Sequence, residues 1–157
     1  MSIDPSDPFR IVTLNPTYDA YGMVLELLSR HAPFSEFRLS QISESVRAQL
    51  KGARHVAALS PDNELVGFAG WAYTLAASAE LWVEGRGPLK ILDKGYDALA
   101  MTIVVSTLPA ATSAMMRHSR SLHPGLRGYF KRSYDGQLRD SRKQSVAAGG
   151  VAVRDEN

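Results

Sequence analysis

Two apolar periods meet in this chain, and the switch between them constrains the fold more than any single residue. From Asp19 to Arg30, Tyr21, Val24, Leu25, Leu27 and Leu28 recur at helical spacing. Beyond Pro33, Phe34, Phe37, Ile42, Val46 and Leu50 mark one face of a second helix, which Gly52 ends. Asp19 is the expected cap of the first helix, and Ser35 or Ser40 that of the second. From Arg54 the period becomes that of strands. Arg54 to Leu59 and Leu65 to Tyr73 flank the turn Ser60-Pro61-Asp62-Asn63, which predicts an antiparallel hairpin.

The rest of the chain adds shorter signals. Glu80 to Val83 reads as a third short strand, and the β-branched run Ala100 to Ser106 as a buried one. Pro109 starts a helix carrying Met115 and Met116, His123-Pro124-Gly125 breaks it, and Leu126 to Ser133 offers a last strand. Two helices, a hairpin, more strands, a helix and a strand predict an α+β fold, with helices flanking a mainly antiparallel sheet. Residues 1–16 are expected to be an irregular N-terminal arm, 17–143 one domain, and 144–157 a flexible tail.

Composition narrows the function. The 157 residues are 45% hydrophobic and 22% charged, an ordinary globular profile. No apolar run approaches the roughly 18 residues of a membrane span. Met1 to Phe9 is acidic and contains proline, unlike a signal or transit peptide, so a cytoplasmic protein is expected. The absence of cysteine excludes disulfides, thiolate catalysis and cysteine-ligated zinc. His31, His55, His118 and His123 show no metal-ligand spacing, so no metal is expected. The net charge of +2 is uneven: Arg117 to Lys143 holds eight basic residues against Asp135 and Asp140, a local +6. Such a stretch either attracts an acidic partner or simply solvates the surface.

Among the histidines, His31 reads two ways. At the end of the first helix it suits a general base that titrates near neutrality, or a cap whose cation favours the helix's negative end. Trp71 reads first as a core or groove-lining aromatic, Met115 and Met116 as core filler or, second, as lining of an acyl groove, and His55 as structural. His118 and His123 read as surface residues.

One set of residues carries a family likeness. His31 with Phe34 three residues on, the helix through Leu50, the strand at Val56 and the strand Val66-Gly67-Phe68-Ala69-Gly70-Trp71-Ala72 follow one another. In this the sequence resembles the RTX toxin-activating lysine acyltransferases of the hemolysin-activating type, from about Leu25 to Arg132. The resemblance implies a GNAT-like acyltransferase domain over 17–143. It also implies transfer of a fatty acyl group from acyl carrier protein to a lysine side-chain amine, with a histidine and an aspartate as catalytic residues. His31 stands at that histidine, whereas Thr102 replaces the aspartate; Asp97 or Asp93 is then the alternative acid. A threonine hydrogen-bonds but cannot supply the full charge that steadies an imidazolium.

The function expected from the resemblance is acyl transfer to an amine of a peptide or protein, with His31 as base and Thr102 or Asp97 in support. Phe34, Trp71, Arg120 and Arg127 are the expected substrate-binding residues. No bound cofactor is expected. The donor is acyl-acyl carrier protein, with acyl-CoA as the alternative, because Ser106-Thr107-Leu108-Pro109-Ala110-Ala111 lacks the glycine-rich turn that cradles a pyrophosphate. The rivals are a CoA-dependent GNAT N-acetyltransferase and a catalytically inactive binding module of the same fold. Nucleic-acid binding ranks last, and a homodimer is left open.

Overall fold

The computed structural model describes residues 7–131 and two short strands, 144–145 and 153–154. The elements are β1 (Arg10–Val12), α1 (Tyr18–Ser29), a 3-10 turn (Phe34–Glu36), α2 (Leu39–Lys51), β2 (His55–Leu59) and β3 (Leu65–Thr74). They continue with α3 (Ala76–Val83), β4 (Ala98–Ser106), α4 (Pro109–Leu122), β5 (Arg127–Phe130), β6 (Gln144–Ser145) and β7 (Val153–Arg154). The first five strands form one sheet in the order β1-β2-β3-β4-β5, and β6 pairs with β7. The described chain divides into two compact units: residues up to Gly70 with Ile103–Ser119, and Trp71–Thr102 with the residues from Arg120.

In the first unit, burial explains the helical spacing. Ala20, Val24, Leu27 and Leu28 of α1 and Ile42, Val46 and Leu50 of α2 share one apolar cluster with Ala57, Phe68, Ile103 and Val105. Thr17, not Asp19, caps α1, its Oγ1 accepting from Ala20 N at 3.2 Å. Asp19 lies in the first turn, two residues past the cap, where its charge still suits the helix's positive end. Neither Ser35 nor Ser40 caps α2, because the chain after Pro33 closes a 3-10 turn and α2 starts from Arg38 without a side-chain cap. Gly52 ends α2 as expected, its N–H donating to Ala48 O at 2.9 Å.

The expected hairpin is present. β2 and β3 pair antiparallel, and Asn63 takes the left-handed conformation in the turn, φ +64°, which asparagine tolerates. The irregular arm expected over 1–16 is corrected in part. Arg10–Val12 pairs antiparallel with β2, Ile11 opposite Ala58, giving that strand a neighbour on its other edge.

The second unit holds the main departure. Glu80 to Val83 is not a strand but the last half of α3. Ala76–Ala79 favours a helix, and Ala79 and Val83, four residues apart, bury one face against Ala98 and Tyr129. β5 runs parallel to β4, from Ala98 opposite Arg127 to Met101 opposite Phe130. A parallel pair needs a crossover, which α4 supplies, so the mainly antiparallel sheet carries one parallel pair at this edge. Within 144–157, expected to be a tail, β6 and β7 pair antiparallel. The last strand was expected to reach Ser133, but Arg132 and Ser133 lie outside the described residues, as do Tyr134, Asp135, Arg139, Asp140, Arg142 and Lys143 of the basic stretch.

Candidate functional site

His31 follows α1 directly. Its N–H donates to Leu28 O at 3.2 Å, and its ring Nδ1 lies 2.8 Å from Leu27 O. A carbonyl can only accept, so Nδ1 carries a proton, and in the neutral ring the lone pair then lies on Nε2. The half-buried ring therefore combines both expected roles: it satisfies a terminal helix carbonyl, and it holds the tautomer a general base needs. Phe34 packs on the core cluster of this unit and meets the half-exposed Phe37 edge-on at 5.7 Å. His55, in contrast, is fully buried. Its Nδ1 donates to Gln49 O and its Nε2 accepts from Leu14 N, each at 2.9 Å, and the ring stacks on Phe68. Burial pushes its pKa down.

The turn from β4 into α4 is closed on itself. Thr107 N–H donates to Val66 O at 2.9 Å, and Leu108 N–H donates to Ser106 Oγ at 3.0 Å. The Ser106 hydroxyl in turn donates to Leu108 O at 2.6 Å.

The other expected site residues belong to the second unit. Thr102, half-buried, is the first residue of β4 beyond its ladder with β5. Asp97 is exposed, and its Oδ1 accepts from Ala76 N at 2.8 Å, which caps α3. Arg127 lies beside the Tyr129 hydroxyl, which is also 3.4 Å from Glu80 Oε1; burial raises the Tyr129 pKa, and Arg127 opposes that rise. Arg120 is half-buried, and its Nε finds no acceptor among the described residues. Trp71 is 2% exposed, and its Nε1 likewise has no acceptor among the described residues. His31 and Phe34 fall in the first unit, so the pairing of His31 with Thr102 or Asp97 stays a proposal.

A polar-aromatic cluster in the second unit escaped the sequence. His123 is 7% exposed, not a surface residue, because the turn after α4 lays its ring against β3. It meets Trp71 edge-on at 4.9 Å, and its Nε2 lies 3.0 Å from Tyr73 Oη. Tyr73 also stacks on Tyr96 at 4.2 Å. Trp71 and Tyr73, two apart on one strand, share a face, and that spacing was the available signal. Among the described residues no group of three or more acidic or histidine side chains could hold a metal ion.

No family model matches the sequence, and no curated protein matches it. Solved structures do. A mosquito arylalkylamine N-acetyltransferase (like 5b) superposes with a TM-score of 0.53 and 12% identity, over 78% of this chain and 76% of the other. A GNAT family N-acetyltransferase from Escherichia coli in complex with CoA gives 0.51 and 8%, over 83% and 66%. A Corynebacterium glutamicum protein described as "histone acetyltransferase HPA2 and related acetyltransferase" gives 0.50 and 14%, over 82% and 78%. The chain has the GNAT fold. At these identities the likeness is one of architecture, which agrees with the GNAT-like α+β domain expected from sequence. No residue role passes to this chain from these GNAT structures.

Proposed function

We propose that this chain is an N-acyltransferase that moves an acyl group from a thioester to an amine. The observation that carries the reading is the fold, shared with N-acetyltransferases over 78–83% of the chain. In the reaction the amine nitrogen attacks the thioester carbonyl, a C–N bond forms, the C–S bond breaks, and the sulfur leaves as thiol. A free lysine amine has a pKa of about 10.4, so it must lose a proton to attack. His31 Nε2, the lone-pair nitrogen of the neutral ring whose Nδ1–H donates to Leu27 O, is the proposed acceptor of that proton. Thr102 or Asp97 would steady the imidazolium; Phe34, Trp71, Arg120 and Arg127 are the proposed substrate contacts.

The E. coli relative in complex with CoA supports a CoA-linked donor. The carrier-protein donor and the lysine acceptor rest on the sequence resemblance, and the basic stretch from Arg117 to Lys143 favours an acidic carrier. Among the described residues no helix is long and apolar enough to cross a membrane.

The test is to supply acyl-CoA and acyl carrier protein with peptide amines and to follow amide formation by mass spectrometry. Replacing His31 with alanine is expected to lower turnover on the order of 10²–10⁴-fold while the far-ultraviolet circular dichroism is unchanged. Full activity in that variant removes His31 from the chemistry. No transfer from any donor, with a partner still bound, favours the inactive binding module.

A further inference from the structure

The junction between β4 and α4 is where a strand runs into the longest helix among the described residues, and such junctions hold phosphate through convergent backbone N–H groups. Here those groups are already used. Thr107 N–H is taken by Val66 O and Leu108 N–H by Ser106 Oγ; Pro109 has no N–H; Ala111 N–H turns back to Leu108 O at 3.0 Å. Thr107 Oγ1 also lies 3.3 Å from Val66 O, and Ser106 Oγ donates to Leu108 O, so both hydroxyls of the turn point inward as well. Of the residues from Thr107 to Ala111, only Ala110 keeps an N–H outside these bonds. The segment from Ile103 to Met116 itself contributes no lysine, arginine or histidine.

We infer that the donor is recognised through its acyl-pantetheine arm and not through a diphosphate seated at the β4–α4 turn. The inference rests on the acyltransferase reading above. The arm is common to CoA and to the prosthetic group of a carrier protein, so either source can supply it. Two or more charge-assisted hydrogen bonds to a diphosphate would be worth on the order of a hundredfold or more in donor selectivity. Their loss removes the advantage of CoA over its own pantetheine fragment.

The experiment compares kcat/KM for acyl-CoA, acyl-pantetheine and acyl carrier protein bearing the same acyl group, with one amine acceptor and the full chain. Adenosine 3′,5′-bisphosphate serves as the competing nucleotide fragment. The expected result is an advantage of acyl-CoA over acyl-pantetheine of less than tenfold and no inhibition by the nucleotide, whether CoA or carrier protein is the better source. An advantage above tenfold, or competitive inhibition by the nucleotide, overturns the inference and leaves the acyltransferase reading intact. No turnover of any thioester overturns both.

A second measurement tests the turn itself. The double variant Ser106→Ala with Pro109→Ala frees Leu108 N–H and restores an N–H at the first helical position. It is expected to raise the acyl-CoA to acyl-pantetheine ratio several-fold. An unchanged ratio in a folded double variant removes the closed turn as the cause.

Discussion

His55 is buried with both ring nitrogens occupied, and one of those bonds requires the neutral ring. Nε2 accepts from Leu14 N–H, so a proton there breaks the contact between the segment after β1 and the start of β2. Burial holds its pKa below 6.5 in the folded chain. The unfolded chain therefore binds the extra proton first as pH falls. Stability from this group is complete above pH 6.5 and declines below it, by up to ~1.4 kcal/mol per pH unit, until the folded pKa is passed. Urea unfolding at pH 7.5 and 5.5 is expected to show a larger acid loss in the wild type than in a His55→Asn variant; equal losses remove His55 from the account. His55→Ala is expected to cost about 2–4 kcal/mol at pH 7.5, since Leu14 N–H loses its acceptor and the buried ring leaves a cavity. The two histidines show what a sequence conveys at this scale. Position on a strand marked His55 as structural, but the lone pair at Nε2 of His31 was invisible until Leu27 O fixed the tautomer.

Asp97 makes the element scale concrete, because its carboxylate supports a helix that the sequence pattern missed. α3 has no side-chain cap of its own at Leu75, and Asp97, 21 residues beyond Ala76, supplies the acceptor. Asp97→Ala is expected to destabilise the protein by roughly 0.5–2 kcal/mol, and Asp97→Asn by less, because an amide oxygen still accepts. Activity separates this from catalysis. If Asp97 only caps α3, the asparagine variant keeps full kcat at 25 °C; a large fall in kcat with unchanged Tm assigns it to the imidazole instead. Elements were legible where burial follows a clean period, as in α1, α2 and the β2–β3 hairpin. They were obscure where a remote residue decides. The apolar end of α3 reads as a short strand until Asp97 caps its other end, and β1 has three residues, too few for a period.

At the scale of the whole molecule, charge and topology pull on different properties. The +6 between Arg117 and Lys143 leaves −4 for the rest of the chain, so attraction of an acidic carrier protein would be long-range and screened by salt. The expected outcome is that kcat/KM for acyl carrier protein falls several-fold between 50 and 500 mM salt, while that for acyl-pantetheine changes little. A parallel decline of both donors removes the basic stretch from donor capture. The sequence by itself determined the α+β composition, the helical faces, the hairpin and the absence of cysteine chemistry, because period, turn residues and composition act locally. It also flagged the junction after β4 as lacking glycine. Only the tertiary structure decided that β5 lies parallel to β4, that His123 turns in against Trp71 and Tyr73, and that the backbone donors of that junction are spent on Val66 and Ser106. Each of these depends on a partner brought near by the fold, and a local pattern cannot name a partner 41 residues away, as Val66 is from Thr107.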